Sequence, residues 1–177
     1  MNLIVRDAAA ADLPAIVAIY NQSIASGRST ADLSPISVES RRAWFSQFDP
    51  QKRPIWVALD EDSIVACIYL TSFYGGRGAY DKTAEVSLYI DQNHQNRGVG
   101  SFLLAEMIAR CPQLGVTTLV GMHFDHNAAT RRLNEKFGFQ IAGHLPEIAE
   151  IGGEKQGLLI SILRIEAADE SVNETAK

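Results

Sequence analysis

The sequence predicts an α/β domain. Three observations carry that class: β-type and helical segments follow one another in the order βααβββαβαββ, no segment repeats, and 46% of the 177 residues are hydrophobic against 21% charged. That balance suits one apolar core enclosed by mixed elements rather than a disordered or fibrous chain.

The first β-type run is Leu3-Ile4-Val5-Arg6. Asp12-Leu13-Pro14 follows as a helix start, with Asp12 suited to the N-cap and Pro14 to the first turn, ahead of the stripe Ile16, Val17, Ile19 and Tyr20. Residues 21–37 are rich in Ser, Gly and Asp and read as a loop, and residues 38–48 recover a helical pattern with Trp44, Phe45 and Phe48 on one face. Residues 55–59 and 64–70 are apolar runs around the polar turn Asp60-Glu61-Asp62-Ser63, a hairpin signal. After the glycine-rich Gly75-Gly76-Arg77-Gly78 comes a third run, 84–90, and antiparallel pairing of these three is the simplest arrangement.

In the second half, Phe102, Leu103, Met107 and Ile108 recur at helical spacing over 100–110. A short buried strand at 119–122, a helix over 128–137 and β-like segments at 140–142 and 157–165 complete the order. The expected domain spans 1–166, followed by an acidic, solvated tail over 167–177.

The net charge of −5 gives no general attraction to nucleic acid or to an acidic membrane, so an anionic ligand needs a local site. No secretory signal or membrane-length apolar segment is apparent, which sets a cytoplasmic expectation. Cys67 and Cys111 lie in apolar or helical surroundings and are expected as buried free thiols. His94, His123 and His126 lack the spacing and carboxylates of a metal site, so no metal is expected and surface or supporting positions are assigned to them.

The chemistry concentrates in 85–100. A strand, Glu85-Val86-Ser87-Leu88-Tyr89-Ile90, runs into a polar loop, Gln95-Asn96-Arg97-Gly98-Val99-Gly100, and a helix starts at once. Gly98 and Gly100 allow a tight turn in which backbone N–H groups and the helix start converge on an anion such as a pyrophosphate, with Arg97 adding charge. The alternative is an ordinary glycine turn before a helix. If the edge of 86–90 is left unpaired, it can receive an extended amide-bearing ligand arm as a surrogate strand. Glu85 can take the proton that an ammonium must lose before it attacks an acyl carbonyl, although a strand glutamate is otherwise a solvated or ion-paired residue.

On these motifs the chain resembles the GNAT superfamily, and within it the phosphinothricin and methionine sulfoximine N-acetyltransferase branch. The motifs are Ile4-Val5-Arg6-Asp7-Ala8 with Asp12-Leu13 and Ile19-Tyr20-Asn21, then Pro54-Ile55-Trp56-Val57-Ala58, Ala79-Tyr80, Thr83 and the 85–90 strand. The loop from Gln95 to Gly100, Asn127-Ala128-Ala129-Thr130 and Leu133-Asn134-Glu135-Lys136-Phe137-Gly138-Phe139 complete the match. The resemblance implies a GNAT fold: a mixed, mostly antiparallel sheet flanked by helices, with two central strands splayed into a V that admits acetyl-CoA. It implies that Leu88, Tyr89 and Ile90 meet the acetyl and pantetheine groups through their backbone. Asn96, Arg97, Gly98, Val99, Gly100 and Ser101 would cradle the pyrophosphate, Asn127 would contact the cofactor, and Glu85 would be the base. A homodimer is implied as well.

The acceptor half departs from the branch. Ala31 and Gly75 stand near places where an aromatic residue and an arginine are usual, Lys155-Gln156-Gly157-Leu158 lacks the usual aromatic and acid, and Asn134 replaces a frequent histidine. Arg77, Tyr80 and Arg28 are the candidate acceptor contacts. The expected reaction is acetyl transfer from acetyl-CoA to the primary amine of a small, amino-acid-like acceptor by direct attack. The alternatives are a protein N-terminus, a lysine or a polyamine as acceptor, or a non-catalytic acetyl-CoA-binding module.

Overall fold

Alternating apolar positions sort the β-type segments into one seven-stranded sheet, of order β1-β2-β3-β4-β5-β7-β6. The structure, a computed structural model, describes residues 3–165, so the expected tail over 167–177 lies outside the described residues. The strands are β1 Leu3–Asp7, β2 Ile55–Asp60, β3 Ser63–Ser72, β4 Thr83–Ile90, β5 Thr118–Phe124, β6 Gln140–Ile151 and β7 Glu154–Arg164. The helices are α1 Leu13–Ser26, α2 Val38–Phe45, α3 Val99–Arg110 and α4 Ala128–Lys136. Every neighbouring pair is antiparallel except β4 and β5, which run parallel.

The two faces of the sheet bury different residues. Ala84, Ile68 and Leu119 pack with Leu103, Leu104 and Met107 of α3, and Val86, Leu88 and Ile90 of β4 join that side. On the other face Val57, Cys67 and Tyr69 pack with Ile16 of α1, and Trp44, Phe45 and Tyr89 close over them. Successive β4 residues therefore alternate between the layers, as the two-residue period requires. Cys67 and Cys111 are buried free thiols.

Three local readings change. α1 continues through the polar stretch 21–26, where the composition predicts a loop, and stops where Gly27 adopts φ 63° and closes the C-terminus. α2 ends at Phe45 rather than 48, with Phe48 still packed on the same aromatic cluster. β6 runs to Ile151, far past the expected 140–142; its register shifts twice and Glu147 takes φ 52°, so its side chains do not alternate cleanly and the two-residue period that would mark the strand is masked.

Candidate active site

β4 and β5 are the two strands that part. Their ladder has only Thr83↔Thr118, Ala84↔Leu119 and Glu85↔Val120. Beyond that point β4 stays paired to β3 through Ile90, and β5 stays paired to β7 through Phe124. Each strand is held on its outer side, so the gap between them leaves the inner edge of 86–90 with unpaired backbone groups.

At the far end of that edge the chain turns into α3. Asn96 has φ 58° and Gly98 has φ 86°, two left-handed positions with Arg97 between them. Gly98 is the N-cap of α3 and supplies no side-chain bond, so the first N–H groups of the helix lack an intrahelical partner and point into the groove as an anion site. Gly100 allows the close approach of this turn: a Cβ there would lie 3.0 Å from Ile90 Cδ1 and 3.4 Å from Leu88 Cδ2.

The loop is pinned from α1. Gln22 Nε2 donates to Asp91 Oδ2 at 2.9 Å, and Gln22 Oε1 accepts from the Gln92 N–H at 2.8 Å. The Asp91 carboxylate also accepts from the Asn93 N–H at 2.9 Å, and these bonds, Gln22 foremost, hold its pKa below the ordinary aspartate value. Across the groove, Asn127 Oδ1 accepts from the Thr130 N–H and caps α4, while its Nδ2 donates to the Arg28 carbonyl at 3.1 Å. The cap thereby ties α4 to the α1–α2 connection.

The groove has a volume of about 860 Å³. Of the residues expected at the donor site, Leu88, Tyr89, Ile90, Asn96, Gly98, Val99, Gly100, Ser101 and Asn127 line it, and so does Arg28. Arg97 is exposed on the same loop but does not line it. Arg77 and Tyr80 also lie outside, in the β3–β4 connection at the Glu85 end of β4, where Arg77 stacks over the Tyr74 ring at 5.7 Å.

Glu85 is the third residue of β4 and sits at the last rung before the gap, half-buried on the face opposite Ala84 and Val86. Burial alone raises its pKa, which makes the carboxylate a stronger base than a solvated glutamate. Burial also pushes the Tyr89 phenol well above its ordinary value, between Tyr20 at 4.9 Å and Tyr69 at 6.1 Å, so it stays neutral at physiological pH. Cys67 is pushed up to about 12 by burial, which leaves it a packing residue and not a nucleophile.

Sequence reasoning singled out only part of the opposite wall: Asn134, at a frequent histidine position beside the cofactor, and His123, given a surface or supporting place. Gly121 and His123 of β5, and Asn134 and Lys136 of α4, line the groove across from β4. His123 is buried, its Nδ1 paired with the Phe124 carbonyl at 3.1 Å. Lys136 Nζ donates to Ser101 Oγ at 3.1 Å and carries charge to the mouth beside the α3 start. The sequence predicts a helix over 128–137, but which of its faces meets a gap in the sheet depends on where β4 and β5 separate.

Residues 17–139 match the family model described as Acetyltransferase (GNAT) family. YwnH of Bacillus subtilis, a phosphinothricin acetyltransferase by name, is 47% identical over 150 residues, covering 84% of this chain and 91% of its own. The L-methionine sulfoximine/L-methionine sulfone acetyltransferase of Pseudomonas aeruginosa is 31% identical over 150 residues, covering 85% of this chain and 87% of its own. Among solved structures, a GNAT superfamily phosphinothricin acetyltransferase from Sinorhizobium meliloti in complex with AcCoA superposes with a TM-score of 0.87 at 25% identity, covering 99% of this chain and 98% of that one.

Proposed function

The chain belongs to the GNAT acetyltransferase family and is an acetyl-CoA-dependent N-acetyltransferase; from that premise we propose that it acetylates the primary amine of a small, amino-acid-like acceptor by direct attack in a ternary complex. The observation that carries the proposal is the three-rung β4–β5 ladder, which leaves an open strand edge leading from Glu85 to the uncapped start of α3.

An extended amide arm fits the edge of Leu88, Tyr89 and Ile90, and the N–H groups of residues 96–101 fit a pyrophosphate. Asn127 supports the same wall through its α4 cap. Arg97 and Lys136 add positive charge nearby, as exposed cations rather than fixed partners. Held there, acetyl-CoA supplies a thioester at the closed end of the gap. Glu85 takes a proton from the acceptor ammonium, the free amine nitrogen attacks the acetyl carbon, and the carbon–sulfur bond breaks with its electron pair going to sulfur; the second proton that the nitrogen sheds as the amide forms passes to water, and water protonates the thiolate. Backbone N–H groups of β4 past Glu85 are placed to receive the developing oxyanion.

The acceptor enters from the α1/α2 face, on which Glu85 stands, and Arg28, Arg77 and Tyr80 are its candidate contacts. The departures at Ala31, Gly75 and Leu158 fall in the acceptor half, so transfer to phosphinothricin itself is not assumed. Thiol release from acetyl-CoA, measured across methionine sulfoximine, methionine sulfone, phosphinothricin, common amino acids, polyamines and short peptides, tests the class. An amino-acid hit supports it; turnover confined to polyamines or peptides, or saturable acetyl-CoA binding without turnover, rejects it. A single domain over 1–166 and a cytoplasmic location are further expectations from the sequence, and a homodimer is one from the resemblance; limited proteolysis, cell fractionation and sedimentation are the tests.

A further inference from the structure

The ladder that ends at Glu85↔Val120 decides which side chains look into the closed end of the gap. β4 residues alternate between faces, so Glu85, Ser87 and Tyr89 share the α1/α2 face, beside their β3 partners Thr71, Tyr69 and Cys67. Ser87 is the first residue of that face past the last rung. It has Tyr69 of β3 on one side and no β5 partner on the other, it is half-buried, and it lines the groove. Across the opening stands Met122, two residues past Val120 on β5, apolar and 39% exposed.

We propose that the Ser87 hydroxyl is a catalytic contact, accepting a hydrogen bond from the attacking amine and holding the nitrogen lone pair on the acetyl carbon; this rests on the acetyl-transfer reading above. The strand sets the distances. Residues 85 and 87 lie about 7 Å apart along β4, a span that one nitrogen bridges with two hydrogen bonds of about 3 Å each. With the carbonyl oxygen on the β4 backbone, the thioester lies in the plane of the sheet, and the nucleophile approaches at a right angle to it, from the face on which both side chains project. Neighbouring polar side chains are placed elsewhere. Thr71 flanks Glu85 from the β3 side, away from the opening, and His123 belongs to the other face of β5, paired with the Phe124 carbonyl and Ser161 Oγ.

The hydroxyl is backed by two phenols. Tyr69 hydrogen-bonds with Ser87 and with Tyr89, and burial pushes both phenols up, so they stay protonated. With Tyr69 donating, one lone pair of the serine oxygen is filled and the other is left for the amine. No proton passes to Ser87. Of the three protons on the ammonium, Glu85 takes one, water takes the second as the amide forms, and the third stays on the amide nitrogen. As nitrogen bonds to carbon it turns positive and its N–H groups become stronger donors, so the bond to Ser87 strengthens in the transition state and raises kcat rather than affinity.

Steady-state thiol release from acetyl-CoA, with the fastest acceptor of the amine panel, compares Ser87→Ala with the wild-type protein. The expected result is a kcat lower by about 10–100-fold, with acetyl-CoA affinity by calorimetric titration within about twofold and the melting temperature held. The rise of rate with pH that belongs to Glu85 should keep its wild-type position. Ser87→Thr, which keeps the hydroxyl, should restore most of the rate, as a serine needed only for packing would not require. An unchanged kcat in Ser87→Ala, a loss of acetyl-CoA affinity that accounts for the slower rate, or a threonine variant as slow as the alanine one overturns the proposal. Wild-type protein that releases thiol with no amine of the panel overturns instead the acetyl-transfer reading on which it rests.

Discussion

At the scale of single residues, the raised pKa of Glu85 makes a double prediction. The folded state holds the proton more tightly than the unfolded state does, so between the ordinary glutamate value and the higher folded value stability falls as pH rises. At neutral pH the ionised carboxylate is therefore a cost to the fold, and Glu85→Gln should melt at or above the wild-type temperature. The same change removes the base, with an expected loss of roughly 10²–10⁴-fold in kcat while acetyl-CoA affinity is retained. The wild-type rate should rise with pH through a value above the usual glutamate range, and the variant should lose that limb. A variant that melts lower and turns over normally would show a structural carboxylate.

At the scale of elements, the site hangs on how the start of α3 meets β4. Gly100→Ala places a methyl group 3.0 Å from Ile90 Cδ1, tighter than ordinary contact, so the helix start must move outward. The expected result is a KM for acetyl-CoA raised several-fold with the overall fold intact, checked by kinetics beside a melting curve. Gly98→Ala meets no neighbouring atom but forces φ 86° on a residue with a Cβ, at about 1–2 kcal/mol, so it should lower the melting temperature first. This turn was legible in the sequence because its chemistry is local: glycines, a preceding strand and a following apolar helix lie within one short segment. The order of elements was legible for the same reason, since each period is written in neighbouring residues. Two features were not. The length of β6 is hidden by Pro146, two register shifts and exposed side chains that need no alternation. The α4 wall of the groove depends on Gly121 and Asn134 meeting across two elements, and nothing near either residue in the chain records that they do.

At the scale of the whole molecule, the same three rungs that define the site also join two halves of the sheet, β1 to β4 on one side and β5, β7 and β6 on the other. The interior of α3 and the Asn127 link to Arg28 are further ties across the gap. Acid should weaken both halves, since hydrogen bonds from Arg6, Gln22 and His144 lower the pKa values of Asp12, Asp91 and Asp125. Their folded values lie below the unfolded ones, so the stability they add is present above the ordinary aspartate range and is lost as pH falls through the folded values. Asp12→Asn, which breaks the 2.6 Å contact with Arg6, should flatten that part of the acid melting profile. A donor lying along β4 acts in the opposite sense, because it supplies hydrogen bonds where the sheet has none and binds only the folded chain. At a hundred times its dissociation constant, acetyl-CoA should add about 2.7 kcal/mol. For a chain of this size that corresponds to a melting shift of roughly 5–11 °C. Hydrogen exchange should localise the gain: amides of residues 86–90 and 97–101 become protected, while those of β1 and β6, at the far edges, change little. Protection spread evenly over all seven strands would mean that the ligand stabilises the fold without occupying the gap, and the surrogate-strand reading would fall.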